Sequence, residues 1–140
     1  MHNYSNRISI LPLKSAFLSL QKAMQRSTDS PLDLELRDAC IQRFEYTYEL
    51  ANKMLKRFLE CSQPSIAIID QLTYRDLLRL AAETGLIDNV EDWFLFREAR
   101  NKTSHAYDES KAIEVFKHIP KFIICVKTLI NNLESKILNL

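Results

Sequence analysis

The segment Ala112–Ile137, "AIEVFKHIPKFIICVKTLINNLESKI", decides the fold class. Ala112, Phe116, Ile119, Ile123, Val126, Ile130, Leu133 and Ile137 recur at alternating steps of four and three. That period lines one face of an α-helix. A stripe of this length needs a long partner helix, either within the chain or in a second copy. Pro120 lies inside the segment and withholds a backbone donor, so the sequence predicts a kink there.

The same period runs through the rest of the chain. Leu13, Ala16 or Phe17, Leu20 and Met24 mark a first helix, and Asp29-Ser30-Pro31 reads as a stop followed by a fresh start. A second, long helix runs from Leu32 to about Cys61 on the stripe Leu36, Cys40, Phe44, Tyr48, Ala51, Leu55 and Phe58, and Gln63-Pro64 ends it. On its polar side Glu45 and Glu49 precede Lys53 and Arg57 at helical spacing, so opposite charges should face each other along it. The stretch 65–72, with "IAII", could be a strand but has no partner strand, and reads as a loop with an apolar contact. Thr73 offers an N-cap with Asp76 at the third helical position, Gly85 a C-cap, and Asp88-Asn89 a cap for a helix carrying Val90, Trp93, Phe94 and Phe96. The expectation is an all-α bundle of four to five helices with a kinked, long C-terminal helix. It forms one domain over 1–140, with 1–12 poorly ordered or a short extension.

Composition narrows the function classes. One glycine in 140 residues, Gly85, cannot build a G-x-G-x-x-G turn or a P-loop. The Gly-Ser and paired aspartates of a nucleotidyltransferase are also missing. With 19 basic and 18 acidic residues the chain has no whole-molecule field for nucleic acid, so any such binding needs a local patch. Cys40, Cys61 and Cys125 are odd in number and form no C-x-x-C, which points to reduced thiols in a cytosolic protein. The start, "MHNYSNRISILPLK", lacks a signal-peptide pattern, and "FIICV" between Lys121 and Lys127 is too short to span a bilayer. The expected location is the cytoplasm, without membrane contact.

The chemistry-bearing stretch is Phe96–Glu109, "FREARNKTSHAYDE". Arg97 and Arg100 are three apart on a helix and so share a face. If the helix ends near Thr103 or Ser104, the chain can swing His105 back toward Arg100. Arginine is a permanent cation whose planar fork suits phosphate, and histidine exchanges protons near neutrality. Together they match ribonuclease chemistry without metal: a base for the ribose 2′-hydroxyl and a cation for the phosphorane charge. The same residues are also ordinary vocabulary for a helix C-terminus, and spacing alone leaves both readings open.

Arg100-Asn101-x-x-Ser104-His105-x-Tyr107, with "RDACIQRFEYTYELANKMLK" at Arg37–Lys56 and "TGLIDNVEDW" at Thr84–Trp93, resembles the HEPN superfamily. More narrowly it resembles the nucleotidyltransferase substrate-binding proteins related to HepT toxins, from about Leu13 to the C-terminus. The resemblance implies an up-and-down, HEPN-like α-bundle that forms a homodimer with the Arg-His motifs of two subunits facing one cleft. It also implies a metal-independent endoribonuclease acting on RNA, without a cofactor, paired as a toxin with a minimal nucleotidyltransferase antitoxin. That partner would silence the nuclease by attaching AMP to Tyr107. By the same resemblance Arg100 contacts phosphate, His105 is the acid/base and Asn101 shapes the site. Arg97 and Ser104 support it, and Glu45 or Glu49 is the second-helix acid. One departure is Asn52, where much of the family carries tryptophan after "YELA". An alternative is a non-catalytic subunit that binds a nucleotide or other substrate for the transferase. A third is a dimerising scaffold with an inert helix end.

Other candidates read as structural. Phe44, Tyr46 and Tyr48 at helical spacing are core rather than base-stacking. His118 and Cys125 are two turns apart, too far for a dyad. His2 is terminal, and the three scattered histidines offer no metal-ligand spacing. Lys121 and Lys127 extend their charged ends to solvent.

Overall fold

The computed structural model describes residues 8–140; the reading of His2 lies outside them. Six α-helices follow in order: α1 Leu11–Asp29, α2 Leu34–Ser62, α3 Ile66–Asp70, α4 Tyr74–Glu83, α5 Val90–Lys102 and α6 Glu109–Ile137. A 3-10 turn, Thr103–His105, joins α5 to α6, and no strand occurs among the described residues. This is an all-α bundle with one helix more than the upper expectation. α2 packs along α1 and α6, and α6 also receives α1 and α5, while α4 rests on α5 and α2. Ile8, ahead of α1, is already buried in the core.

Local chemistry explains the boundaries. Asp33 accepts from the Leu36 amide at 3.0 Å and starts α2, and Thr73 accepts from the Asp76 amide at 3.1 Å and starts α4. At the end of α4, Gly85 has φ +80°, the Leu86 amide donates to the Ala81 carbonyl and the Gly85 amide to Ala82. This left-handed closure is open to glycine at no steric cost. The stretch expected to be a loop, 65–72, contains α3 instead. Ser65 accepts from the Ala67 amide at 3.2 Å, and Ile69 makes the apolar contact, being 1% exposed. A capped single turn satisfies backbone groups that a strand without a partner would leave open.

α6 runs as one helix through Pro120. Its buried seam is Ala112, Val115, Ile119, Phe122, Val126, Leu129, Ile130 and Leu133. Ala112, Ile119, Val126, Ile130 and Leu133 of the predicted stripe lie in this seam, but it is turned toward Val115, Phe122 and Leu129, and Phe116, Ile123 and Ile137 lie at its edge. Phe122 is the reason. Its ring meets Phe44 at 4.8 Å and Phe96 at 5.1 Å edge-on, with Trp93 at 6.2 Å and Tyr48 at 6.4 Å. Rings from α2, α5 and α6 thus meet at one point, and Phe44 and Tyr48 are core residues.

A second tie joins α6 to α2. The Arg37 guanidinium donates to both carboxylate oxygens of Glu109, at 2.7 and 2.8 Å. This bond holds the Glu109 carboxyl below its ordinary range. Along α2 the predicted charge ladder gives way, because Glu49 reaches across to α5 rather than to Lys53.

Phe122→Ala should lower unfolding free energy by about 3–5 kcal/mol, read as a shifted urea midpoint at unchanged slope; a loss near zero would refute the shared-ring core. A carboxyl whose folded titration is depressed stabilises above its ordinary range and loses that contribution as pH falls through the folded value. Glu109→Gln should therefore lower Tm at neutral pH, and the difference from wild type should close on acidification. A difference that persists in acid would contradict the pairing.

Candidate functional site

The outer end of α5 is built from its inner face. Asn89 caps the helix by accepting from the Glu91 and Asp92 amides at 2.9 and 3.4 Å. Trp93, Phe96 and Ala99 then bury three successive turns. Arg100, one turn beyond Phe96, emerges at the surface with its side chain 37% exposed. Its Nη2 donates to Glu49 and lies 4.0 Å from the Glu45 carboxylate. The Glu49 bond, then the field of both acids, raises the Arg100 pKa. Both second-helix acids thus face the arginine, and Glu49 is the direct partner.

The chain then tightens. Thr103 is buried, and its Oγ1 donates to the Arg100 carbonyl at 2.8 Å. The Ala106 amide donates to Thr103 at 3.2 Å and the Asp108 amide to His105 at 3.0 Å. Asp108 in turn caps α6, accepting from the Ser110 and Lys111 amides. The helix ends where the sequence places its end, and Ser104, His105 and Tyr107 come to the surface on a turn held at both sides. The His105 and Tyr107 rings stand edge-to-face, 6.1 Å apart at 69°. Tyr107 is 87% exposed. It borders a cleft of about 260 Å³ that Glu45 also lines, so Glu45 lies between the arginine and the tyrosine.

The remaining motif residues point elsewhere. Arg97 and Asn101 line a second cleft, between α4 and α5, with Tyr74, Arg75 and Phe94. The Arg97 guanidinium lies 4.6 Å above the Tyr74 ring. Asn52, in the place of the expected tryptophan, anchors that ring. Tyr74 donates to Asn52 Oδ1 at 2.8 Å, Tyr48 pairs with the Tyr74 hydroxyl at 2.7 Å, and Asn52 Nδ2 donates to the Tyr48 carbonyl at 2.9 Å. Burial pushes both phenols up. Sequence reading passed over Tyr74 and Arg75 and took Phe94 only as an apolar residue of its helix; Asn52 was the signal that a polar contact replaces apolar packing there.

Elsewhere, His118 lies 3.7 Å from Glu114 and Lys121 pairs with Asp92 at 3.2 Å. Among the described residues no three His, Cys, Asp or Glu side chains cluster as a metal site, and no helix is long and apolar enough to cross a membrane.

Comparison with known proteins identifies relatives over nearly the whole chain. The chain is 32% identical to a probable ribonuclease HepT of Haemophilus influenzae, over 94% of this chain and 96% of that protein. It superposes with TM-score 0.85 on a solved Haemophilus influenzae protein, at 34% identity and covering 90% of this chain and 99% of the other. That structure is described as revealing the fold of a substrate binding domain of a nucleotidyltransferase. A solved Thermus thermophilus protein aligns with TM-score 0.65 and 27% identity, over 86% of this chain and 98% of its own. The model of the family described as "nucleotidyltransferase substrate binding protein like" matches residues 8–135, and the chain belongs to that family.

Proposed function

We propose that this protein is a toxin-like, metal-independent endoribonuclease that works beside a minimal nucleotidyltransferase and is silenced when AMP is attached to Tyr107. The observation that carries the reading is Arg100, oriented by Glu49 and Glu45 at the end of α5, directly before the exposed His105–Tyr107 turn. The relative named as a ribonuclease supports the same assignment. In this reaction His105 takes the proton from a ribose 2′-hydroxyl. The freed oxygen bonds to phosphorus, the bond to the 5′-oxygen breaks, and Arg100 offsets the charge that builds on the phosphoryl oxygens. The leaving 5′-oxygen takes up a proton, which the histidine of a second subunit could supply across a homodimer cleft. In silencing, the Tyr107 oxygen bonds to the α-phosphorus of a nucleoside triphosphate bound to the transferase, and pyrophosphate leaves. The added phosphate places negative charge within reach of His105.

A second reading is a non-catalytic subunit that presents nucleotide to the transferase. It is favoured by the Arg100–Glu49 pair, which partly neutralises the arginine in the free protein, and by the description given to the solved relative.

Purified His105→Ala should lose at least about a hundredfold in RNA cleavage, and Arg100→Ala about as much, with folding unchanged by circular dichroism. Cleavage equal to wild type would reject the nuclease reading. Incubation with the partner transferase and a radiolabelled nucleoside triphosphate should label wild type but not Tyr107→Phe. Equal labelling of the two would reject Tyr107 as acceptor.

A further inference from the structure

The cleft between α4 and α5 lies apart from the His105–Tyr107 turn yet shares α5 with Arg100. It encloses about 690 Å³. Two guanidinium groups lie over its aromatic floor: Arg97 at 4.6 Å from the Tyr74 ring centre, and Arg75 at 4.4 Å from that of Phe94. The two rings meet edge-on at 6.1 Å, so the four side chains form one row. Among the described residues neither arginine forms an ion pair, although Glu91 and Glu98 line the same cleft. Arg37 and Arg100, by contrast, are both committed to carboxylates. A cation held over a ring and outside any ion pair keeps donors for a ligand.

We propose that this cleft is a subsite for single-stranded RNA flanking the position cleaved, its ligand an unpaired base with its phosphate. This rests on the nuclease reading for its substrate. The chemistry matches part by part. A base stacks on an arginine plane or an exposed aromatic face, and the guanidinium donors hold phosphate. Glu91 and Glu98 suit a base bearing an exocyclic amino group, which donates to carboxylate. The cleft also runs toward the reaction site. Phe94, Arg97 and Asn101 recur at three- and four-residue steps along α5, covering about 10 Å. Arg97 precedes Arg100 by about one turn of α5, so a strand held at Arg100 meets this row by following the helix back. The Tyr74 hydroxyl donates to Asn52 and accepts from Tyr48, and these two bonds hold the ring beneath Arg97.

The test measures binding in the full-length His105→Ala protein, so it reads the cleft whether or not RNA is cut. The probe is a short, unstructured, fluorescein-labelled oligoribonucleotide followed by anisotropy. Arg97→Ala and Arg75→Ala should each raise its Kd about tenfold. Arg97→Lys should recover only part of the loss, since the ammonium keeps charge but not the plane. Melting curves and circular dichroism show whether each variant is folded; Arg97→Gln, which keeps the long stem, replaces Arg97→Ala if that protein unfolds. Unchanged Kd in folded variants, or no oligoribonucleotide binding to the parent, overturns the proposal. Tighter binding of ATP than of the oligoribonucleotide, lost in the same variants, overturns it in favour of a mononucleotide site. Loss of transferase binding alone overturns it in favour of a protein interface. Equal cleavage by wild type and His105→Ala, with the Kd changes present, would sink the nuclease reading and leave a single-strand binding site.

Discussion

The packing of four aromatic rings around Phe122 sets the geometry on which everything else in the molecule rests. Phe44 and Tyr48 come from α2, Trp93 and Phe96 from α5, and α6 supplies the ring at the centre. Rings in edge contact tolerate little sliding, so the register of three helices is decided in one place. Glu45 and Glu49 each follow a member of this set by one residue, and Arg100 follows Phe96 by one turn. Burying the rings therefore brings two carboxylates opposite one guanidinium. The polar cluster is a by-product of the core, and it needs no separate device to hold it.

That cluster contributes orientation more than stability. Arg100, Glu45 and Glu49 are each between a third and a half exposed, and pairs at such positions are worth about 1 kcal/mol or less. What the pair does is restrict a long, flexible side chain to one direction. An anion approaching it would then compete with the carboxylates, so weak anions would be disfavoured over those that offer two or more contacts. The Arg37–Glu109 tie acts likewise on the other side of the turn, where it fastens the start of α6 to α2.

Much of this could be read from the residues because helix ends have local chemistry. Thr73, Asn89 and Gly85 announce their roles within four residues of themselves, and the structure uses all three as caps or closures. The C-terminal seam was legible as a helix but not in its rotation. Val115 and Phe116, Phe122 and Ile123, and Leu129 and Ile130 are adjacent apolar pairs, so two neighbouring stripes fit the same period. Only the partners on α2 and α5 choose between them. α3 was hidden for a related reason: a five-residue helix is too short to show a period, and its one signal was the cap at Ser65. At the site, Arg100 and the His105 turn follow from sequence order, but the stacking of Arg97 on Tyr74 joins residues from two helices, and no spacing within α5 encodes it. Asn52 marked the spot as a break in an expected pattern without saying which group it would bond.

The connection from α5 to α6 contains no glycine, and among the described residues no non-glycine residue has positive φ. Each backbone step from Thr103 to Asp108 is accordingly one any side chain adopts at ease, and hydrogen bonds close it from both directions. Tyr107 stands on this stiff ledge almost fully in water. An enzyme that modifies the phenol meets it in its resting shape, without waiting for a segment to open, so the speed of such a reaction would follow how often the two proteins collide in the right orientation.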